Sequence, residues 1–544
     1  MKKELLPLSL WLHDIASSLD AGGEPVWDPS FSLITNPELP LQLVDLLAEI
    51  DENKLDDDDA YYAACIYVLD TCVAQLQTTT EGGNRQSSKM LQQVMRKLAN
   101  TLSTGKQTLN FWLPVLNAFY DVQVELLPEL QDAYLALAEE EPVGENLQTD
   151  HLTVMRDMIL EMSHLSIFDI AENFFAQSYA MPADFFADFI VDLYNIPEAH
   201  DIALLILLYP RPEVRQVAVD VFDALMDSIV LSAVSLTRLQ AIREWYPQEY
   251  HPRFDRWLKV QRKKGVVFQP LSSPNKMEIY ATEVDGAGAQ GFYIRCQSSR
   301  KHSLAGLLVK NQVGVKDVWV TPWMSAKELA HNFEQIDDGT VTLRPVEPVF
   351  LQLIVNHFLA VSLEQGNIPD LHLLEVQELL GMTFKPVAVD VHAQINQHSI
   401  QISPFTPEFV KKSLARSKKW TTTKTFTESW FIENMQVDKI VNQSCTIVDG
   451  IKICNFAKAT ESIFSKLLEK QRPMWCFHFL WTALWAMAHP SPKKNDYIGI
   501  DSLIIAYVID QQMPLMDIPI MQEICKQTVT NSVETMNERR TYLT

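Results

Sequence analysis

The stretch that most narrows the folds open to this chain is residues 202–225, IALLILLYPRPEVRQVAVDVFDAL. It reads as two short helices parted by a proline-bearing turn. Pro210 and Pro212 bracket Arg211, and the second proline falls in a first helical turn, where a missing N–H has no partner to lose. Glu213 follows at the positive end of the helix dipole, a placement worth a few tenths to about 1 kcal/mol. Val214, Val217, Ala218, Val221, Phe222 and Leu225 recur at helical spacing and make one apolar stripe. Residues 202–208 are apolar on nearly every side, so this first helix must be covered on both flanks. A pair built that way needs neighbours stacked on it.

Those neighbours are legible upstream. Pro182, Pro197 and Pro212 lie 15 residues apart, each followed within two positions by Asp184, Glu198 or Glu213. Phe185, Phe186, Phe189, Ile190 and Leu193 form the stripe of the unit that starts at Pro182. Two such units make a hairpin of about thirty residues, near the short end of solenoid repeats. The P-x-P-E-V-R-x-x-A run over residues 210–218 resembles a HEAT repeat. That resemblance implies a mainly α fold, a HEAT-like α–α superhelix or helical bundle. The rest of the chain adds a small α+β insert, an antiparallel sheet plus helix.

Charge is unevenly spread. Residues 1–264 carry 19 Lys+Arg against 41 Asp+Glu, a balance of −22 out of the chain's −24. Between Leu98 and Pro210 the only basic residues are Lys106 and Arg156. Such a field repels phosphate backbones, which argues against nucleic acid as a partner, and attracts basic surfaces. Asp184, Asp188 and Asp192 stand four residues apart, so they share one helix face and are candidates for contacting a basic protein partner. The alternative is a set of solvated faces that serve solubility. Residues 56–59, all Asp, precede an apolar helix; they lack the alternation and bend glycine of a calcium loop.

The longest apolar run, MWCFHFLWTALWAMA over residues 474–488, would be about 22 Å long as a helix against a hydrocarbon core of about 30 Å. Pro473 and Pro490 close it, and His478 and Thr482 interrupt it. A buried core helix is expected, with no integral membrane span. The N-terminus has two lysines but no small-residue cleavage site, and the seven cysteines show no C-x-x-C. A cytoplasmic protein with unpaired thiols is the expectation.

After residues 262–265 (RKKG) the composition turns to β-branched and turn residues. Gly286, Gly288 and Gly291 spell G-x-G-x-x-G behind a strand-like run, and Lys310 lies downstream as a phosphate-pairing candidate. A dinucleotide site requires a helix next, whereas GFYIRCQ is strand-like. No H-R-D, D-F-G or A-P-E follows, so nothing would hold magnesium or orient a hydroxyl. A β-hairpin turning at Asp285–Gly286 is the simpler account, with a nucleotide site centred on these residues the competing one. Further strands are expected around Leu304, Leu308, Val315 and Val318, then a capping box of Ser325 and Glu328 opening a helix. Asp370 should cap a later helix and Gly381 end it.

Residues 382–429 read as irregular and basic. Lys411, Lys412, Arg416, Lys418, Lys419 and Lys424 cluster there beside Trp420. This segment could grip an anionic membrane surface peripherally, contact a partner, or lie against the chain's own acidic half. The expected parts are therefore 1–262, an acidic helical solenoid; 266–345, the α+β module; 346–384, a helical hairpin; 385–429, the basic linker; and 430–544, a helical end whose polar tail frays.

No motif implies a catalytic residue, a cofactor or a metal. H-E-x-x-H and G-x-S-x-G are absent. His200–Asp201 opens an apolar helix, where Asp201 reads as a helix-start residue rather than part of a metal-dependent hydrolase motif. Function at this level is a non-enzymatic interaction or scaffold protein.

Overall fold

A computed structural model describes residues 8–541 other than 24, 82, 141–150, 273–275, 337–341, 403–404, 421–429, 449–450 and 491–496. Its contacts divide the chain into two compact units, residues 1–160, 169–189 and 538–544, and residues 161–168 and 190–537. Helices dominate both, as expected, and a small antiparallel sheet lies in the second.

In the first unit, Leu8–Asp20, Leu39–Glu49, Leu55–Glu81, Arg85–Thr104, Leu109–Asp121 and Pro128–Glu140 are helices around a core that includes Leu12, Leu43, Val68, Val94, Leu98 and Phe119. The Asp run at 56–59 falls in the first turns of Leu55–Glu81. The composition of residues 78–88 suggests a loop, yet the helix runs on to Glu81. Thr78, Thr79 and Thr80 donate their hydroxyls to the carbonyls of Ala74, Gln75 and Leu76, so the threonines stay within the helix. Asn84 then caps Arg85–Thr104, its side chain accepting from the N–H groups of Gln86 and Ser87. Residues 139–150, whose composition also suggests a loop, lie mostly outside the described residues.

In the second unit the helix pair appears as His200–Leu205, extended by a 3-10 turn Ile206–Leu208, and then Pro212–Leu225. Every residue from Ile202 to Tyr209 is buried. Buried Arg215 donates to the Tyr209 carbonyl (2.9 Å) and to that of Pro210, fixing the turn from below. Lys264 Nζ donates to the carbonyls of Met226, Asp227 and Ile229, at 3.0, 2.7 and 2.6 Å, just past the end of the second helix. A cation at that end is favoured by the dipole as well.

The sheet has strands β1 (Lys276–Thr282), β2 (Ala289–Ser298), β3 (Lys301–Lys310), β4 (Gly314–Val320) and β5 (Leu343–Pro345) in the order β4-β3-β2-β1-β5, antiparallel throughout. Alternation sorts its faces. Gln290, Phe292, Ile294 and Cys296 of β2 are buried, and Phe292 meets Phe350 of the helix Pro348–Glu364 at 5.9 Å. The opposite face takes the helix Ala326–Ile336, with Phe333 5.0 Å from the Tyr280 ring and the Arg295 guanidinium 5.0 Å above Phe333. The expected capping box is present: Ser325 N–H donates to Glu328 and Glu328 N–H to Ser325 Oγ. Asp370 accepts from His372 N–H at 2.7 Å, and Gly381 ends His372–Leu380 at φ +64°.

The tryptophan-rich run is the helix Arg472–Met487, buried at every position from Trp475 to Ala486. Among the described residues no helix is long and apolar enough to cross a membrane. The helix instead covers the sheet. Trp481 Nε1 donates to Gln290 Oε1 at 2.7 Å, Trp485 Nε1 to the Ala281 carbonyl at 3.3 Å, and Arg344 stacks 4.8 Å from the Trp485 ring. His478 is wholly buried between Trp430 (5.0 Å) and Trp475 (5.3 Å).

Three local expectations are corrected. Residues 391–417, read as irregular, form helices Val391–Ile402 and Pro407–Ser417. The tail read as fraying is the helix Pro519–Thr541, which buries Met521, Ile524, Cys525, Thr528, Val529 and Ser532. Its stripe contains Thr, Ser and Cys, which mask it from a hydropathy reading. Cys445 and Cys454, read as thiols, are disulfide-bonded across a two-stranded ribbon, β6 (Cys445–Val448) and β7 (Ile451–Cys454).

Two outcomes follow from this core. Trp481→Phe leaves the buried Gln290 oxygen without its donor and should cost about 1–3 kcal/mol, read as a lower urea midpoint at unchanged slope. Burial lowers both the His478 and the His357 imidazole to about 4, so folding favours their neutral forms. Their stabilisation is complete above about 6.5 and is lost as pH falls from 6.5 towards 4. The melting temperature should drop over that window, and less so in His478→Phe.

Candidate functional site

Chemistry-bearing side chains converge at a partly buried place in the second unit, where the helix Ala233–Trp245 meets His372–Leu380. The Arg238 guanidinium, 7% exposed, forks onto Glu378 through Nε–Oε1 (2.6 Å) and Nη2–Oε2 (2.9 Å). Its Nη1 lies 3.2 Å from Asp201, whose carboxylate also accepts from Ser235 Oγ. The Phe168 ring supports the guanidinium at 4.8 Å, and buried His372 places Nδ1 2.7 Å from Glu375. Burial works against the Arg238 charge; the Glu378 hydrogen bonds and the Glu378, Asp201 and Glu375 charges outweigh it and hold Arg238 above its usual value. Asp201 thus does more than start a helix. It is one arm of a network joining helices about 140 residues apart in sequence. Trp245 Nε1 donates to the Phe384 carbonyl at 3.1 Å and adds a second tie between the same segments.

The glycine turn is occupied by its own chain. Gly288 N–H donates to the Asp285 carbonyl, Ala289 N–H to Asp285 Oδ1 (2.7 Å) and Gly291 N–H to Thr282 Oγ1 (2.9 Å). Gly288 sits at φ +76°, and a Cβ there would fall 2.2 Å from the Asn311 amide. Gly286 and Gly288 are buried, and Lys310 ends β3 half-buried opposite Ala289. Burial raises the Asp285 carboxyl above its usual range, against the pull of the Ala289, Ala287 and Gly288 backbone and of Lys310. The amides that could cradle a phosphate are turned inward.

Asp184 and Asp188 are exposed at and within the helix Phe185–Asn195, and Asp192 is half-buried one turn on. Phe185, 39% exposed, stacks on Phe189 at 5.4 Å. In the basic segment, Lys411, Lys412, Lys418 and Lys419 are exposed, and Lys412 pairs with Glu408 at 2.7 Å. Arg416 and Ser413 point the other way, onto the buried Asp501 of the helix Ile498–Asp510, and Trp420 is buried. The hydrogen bonds to Asp501 lift Arg416 above its ordinary value. Lys424 lies outside the described residues. Cys476 and His478 do not converge as ligands: Cys476 Sγ donates to the Ala506 carbonyl at 3.3 Å, while His478 rests among indoles.

The Arg238 network escaped the sequence reading because its members are far apart in the chain. A hint existed in Arg238 and Glu378 themselves, charged residues set among apolar helix positions.

Three family models match separate parts of this chain. They are the Y4lR second domain over residues 182–265, a domain of unknown function (DUF7401) over 272–389, and the Y4lR C-terminal helical domain over 392–533. The matched models are thus Y4lR-type and unknown-function domains rather than HEAT-repeat families. A curated relative, the uncharacterized protein y4lR of Sinorhizobium fredii (strain NBRC 101917 / NGR234), is 24% identical over 298 residues, 54% of this chain and 54% of the relative. The match therefore spans about half the length of that relative. No solved structure matches.

Replacing Arg238 tests the network. Arg238→Met strands two partly buried carboxylates and should destabilise the fold by about 3 kcal/mol. Arg238→Met with Glu378→Leu should recover part of that loss, measured by urea unfolding as a double-mutant cycle.

Proposed function

We propose that this chain is a non-enzymatic interaction scaffold of HEAT-like helical architecture, cytoplasmic, whose acidic helix faces select a basic protein partner. The observation that carries this reading is the outward face of Phe185–Asn195, where exposed Asp184 and Asp188 flank a half-exposed Phe185 stacked on Phe189. A lysine or arginine can lay its methylenes on that ring and reach a carboxylate with its charge. The −22 balance of residues 1–264 extends the same preference over a wide surface and would speed encounter with a cationic partner.

Two further observations support a scaffold over a nucleotide enzyme. The backbone donors around Gly286, Gly288 and Gly291 are bonded within the turn, and the sheet face that includes Gln290 is covered by the tryptophan helix. On this reading the sheet is a support for helices. The working parts are an acidic helical region over 1–262, the sheet module over 266–345, a hairpin over 346–384, a basic segment over 385–429 and a helical end over 430–544. The exposed Lys411, Lys412, Lys418 and Lys419 form a second contact surface of opposite sign, which Arg416 and Trp420 anchor from behind.

The test is calorimetric titration of a lysine-rich helical peptide into the full chain at low and physiological salt. Changing Asp184, Asp188 and Asp192 together to Lys should weaken binding about tenfold or more. Unchanged affinity with intact circular dichroism would contradict the proposal. In a thermal-shift screen, nucleotides with magnesium should leave the melting temperature in place; a saturable rise abolished by Lys310→Ala would overturn the scaffold reading.

A further inference from the structure

Five of the seven cysteines, Cys65, Cys72, Cys296, Cys476 and Cys525, are buried thiols. Burial pushes each of them up to about 12, so at neutral pH they are almost wholly protonated and unreactive. Cys445 and Cys454 differ in every respect. They face each other in direct register at the open end of the β6–β7 ribbon, joined Sγ to Sγ, and both are half-buried. Neither cysteine is fully buried, unlike the other five, so an attacking small molecule can approach the bond.

The surroundings also accommodate the cleaved pair. Cys445 Sγ lies 3.0 Å from the Val441 carbonyl, in the last turn of the helix Met435–Asn442. In the disulfide that contact is not a hydrogen bond; in the thiol it is one. Elements on both sides hold their places independently of the sulfurs. Asn455 N–H donates to the Ser444 carbonyl at 2.8 Å, Asn455 caps the helix Phe456–Lys466, and Lys466 Nζ donates to Gln443 Oε1 at 2.8 Å.

We propose that Cys445–Cys454 is a reversible thiol–disulfide exchange site for a small thiol of the glutathione class, operating in the otherwise folded protein. The thiolate of the small molecule attacks Cys445 Sγ. The S–S bond breaks, a mixed disulfide forms on Cys445, and Cys454 leaves as a thiolate that takes up a proton. This direction is favoured because a thiolate on Cys445 would face the Val441 carbonyl at the negative end of a helix. A second small thiol then attacks the mixed disulfide and releases the small-molecule disulfide. The remaining Cys445 thiol donates to Val441. Overall the protein gains two electrons and two protons, and two small thiols are oxidised to one disulfide.

The full chain is incubated with reduced or oxidised glutathione, alkylated without denaturant and mapped by mass spectrometry, with circular dichroism recorded in parallel. Under reduced glutathione, Cys445 and Cys454 should label at least about tenfold faster than the five buried thiols, with the spectrum unchanged. Oxidised glutathione should restore their protection. Cys454→Ser should accumulate the mixed disulfide on Cys445. Labelling of all seven cysteines at one rate, tied to loss of the spectrum, would overturn the proposal, as would a pair that stays oxidised until the chain unfolds. The double variant Cys445→Ser, Cys454→Ser should keep the wild-type spectrum; a variant that fails to fold would show the bond to be a structural staple and overturn the exchange reading.

Discussion

The second unit depends on how the helix Arg472–Met487 disposes of its indoles. A buried indole N–H is costly unless it is hydrogen-bonded, and of the three indoles on this helix two are paired, while Trp475 Nε1 has no partner among the described residues. Trp481 finds Gln290 and Trp485 finds the Ala281 carbonyl, both on the buried face of the sheet. Two hydrogen bonds and a stacked arginine therefore fix the sheet to the helix in one register. A slip of β2 by one residue would turn Gln290, Phe292, Ile294 and Cys296 outward and leave the indole without its acceptor. The sheet is held from its other side by Phe333, and the result is a layered core of helix, sheet and helix.

The same logic extends to the helices over residues 190–265. The segment Ile202–Leu208 has no polar side chain and so must be enclosed; Arg215, Lys264 and Gln261 give their donors to the carbonyls exposed where it and the next helix end. Arg238 then ties Ala233–Trp245 to His372–Leu380 through Glu378. Polar atoms in this unit work chiefly as fasteners between elements, and the charges left over face water. Over residues 1–264 carboxylates outnumber basic groups 41 to 19, which is what gives the proposed partner surface its sign.

Local features were legible in the sequence because their causes are local. Pro212 and Glu213 open a helix, Ser325 and Glu328 close a capping box, Asp370 and Gly381 bound another helix, and GFYIRCQ alternates as a strand should. The failures have a common cause. Arg238 and Glu378, or Gln290 and Trp481, meet only because the chain returns after 140 and 191 residues. Cys445 and Cys454 are brought together by a ribbon whose strands are four residues each, too short for alternation to reveal. The tail helix hides its stripe in Thr528 and Ser532, and the threonines at 78–80 keep a helix going where their type suggests an end. Of the evenly spaced Asp184, Asp188 and Asp192, the last two lie in the helix Phe185–Asn195 and the first in the turn before it.

If the sheet is a fixed support for the helices packed on it, it should unfold together with the rest of the compact unit over residues 190–537. Native-state hydrogen exchange tests it most directly, residue by residue under increasing denaturant. The amides of β1, β2 and β3 should open with the same free energy as those of Arg472–Met487, converging on the global unfolding value. Strands that exchange well before that helix, by a separate opening, would contradict the account.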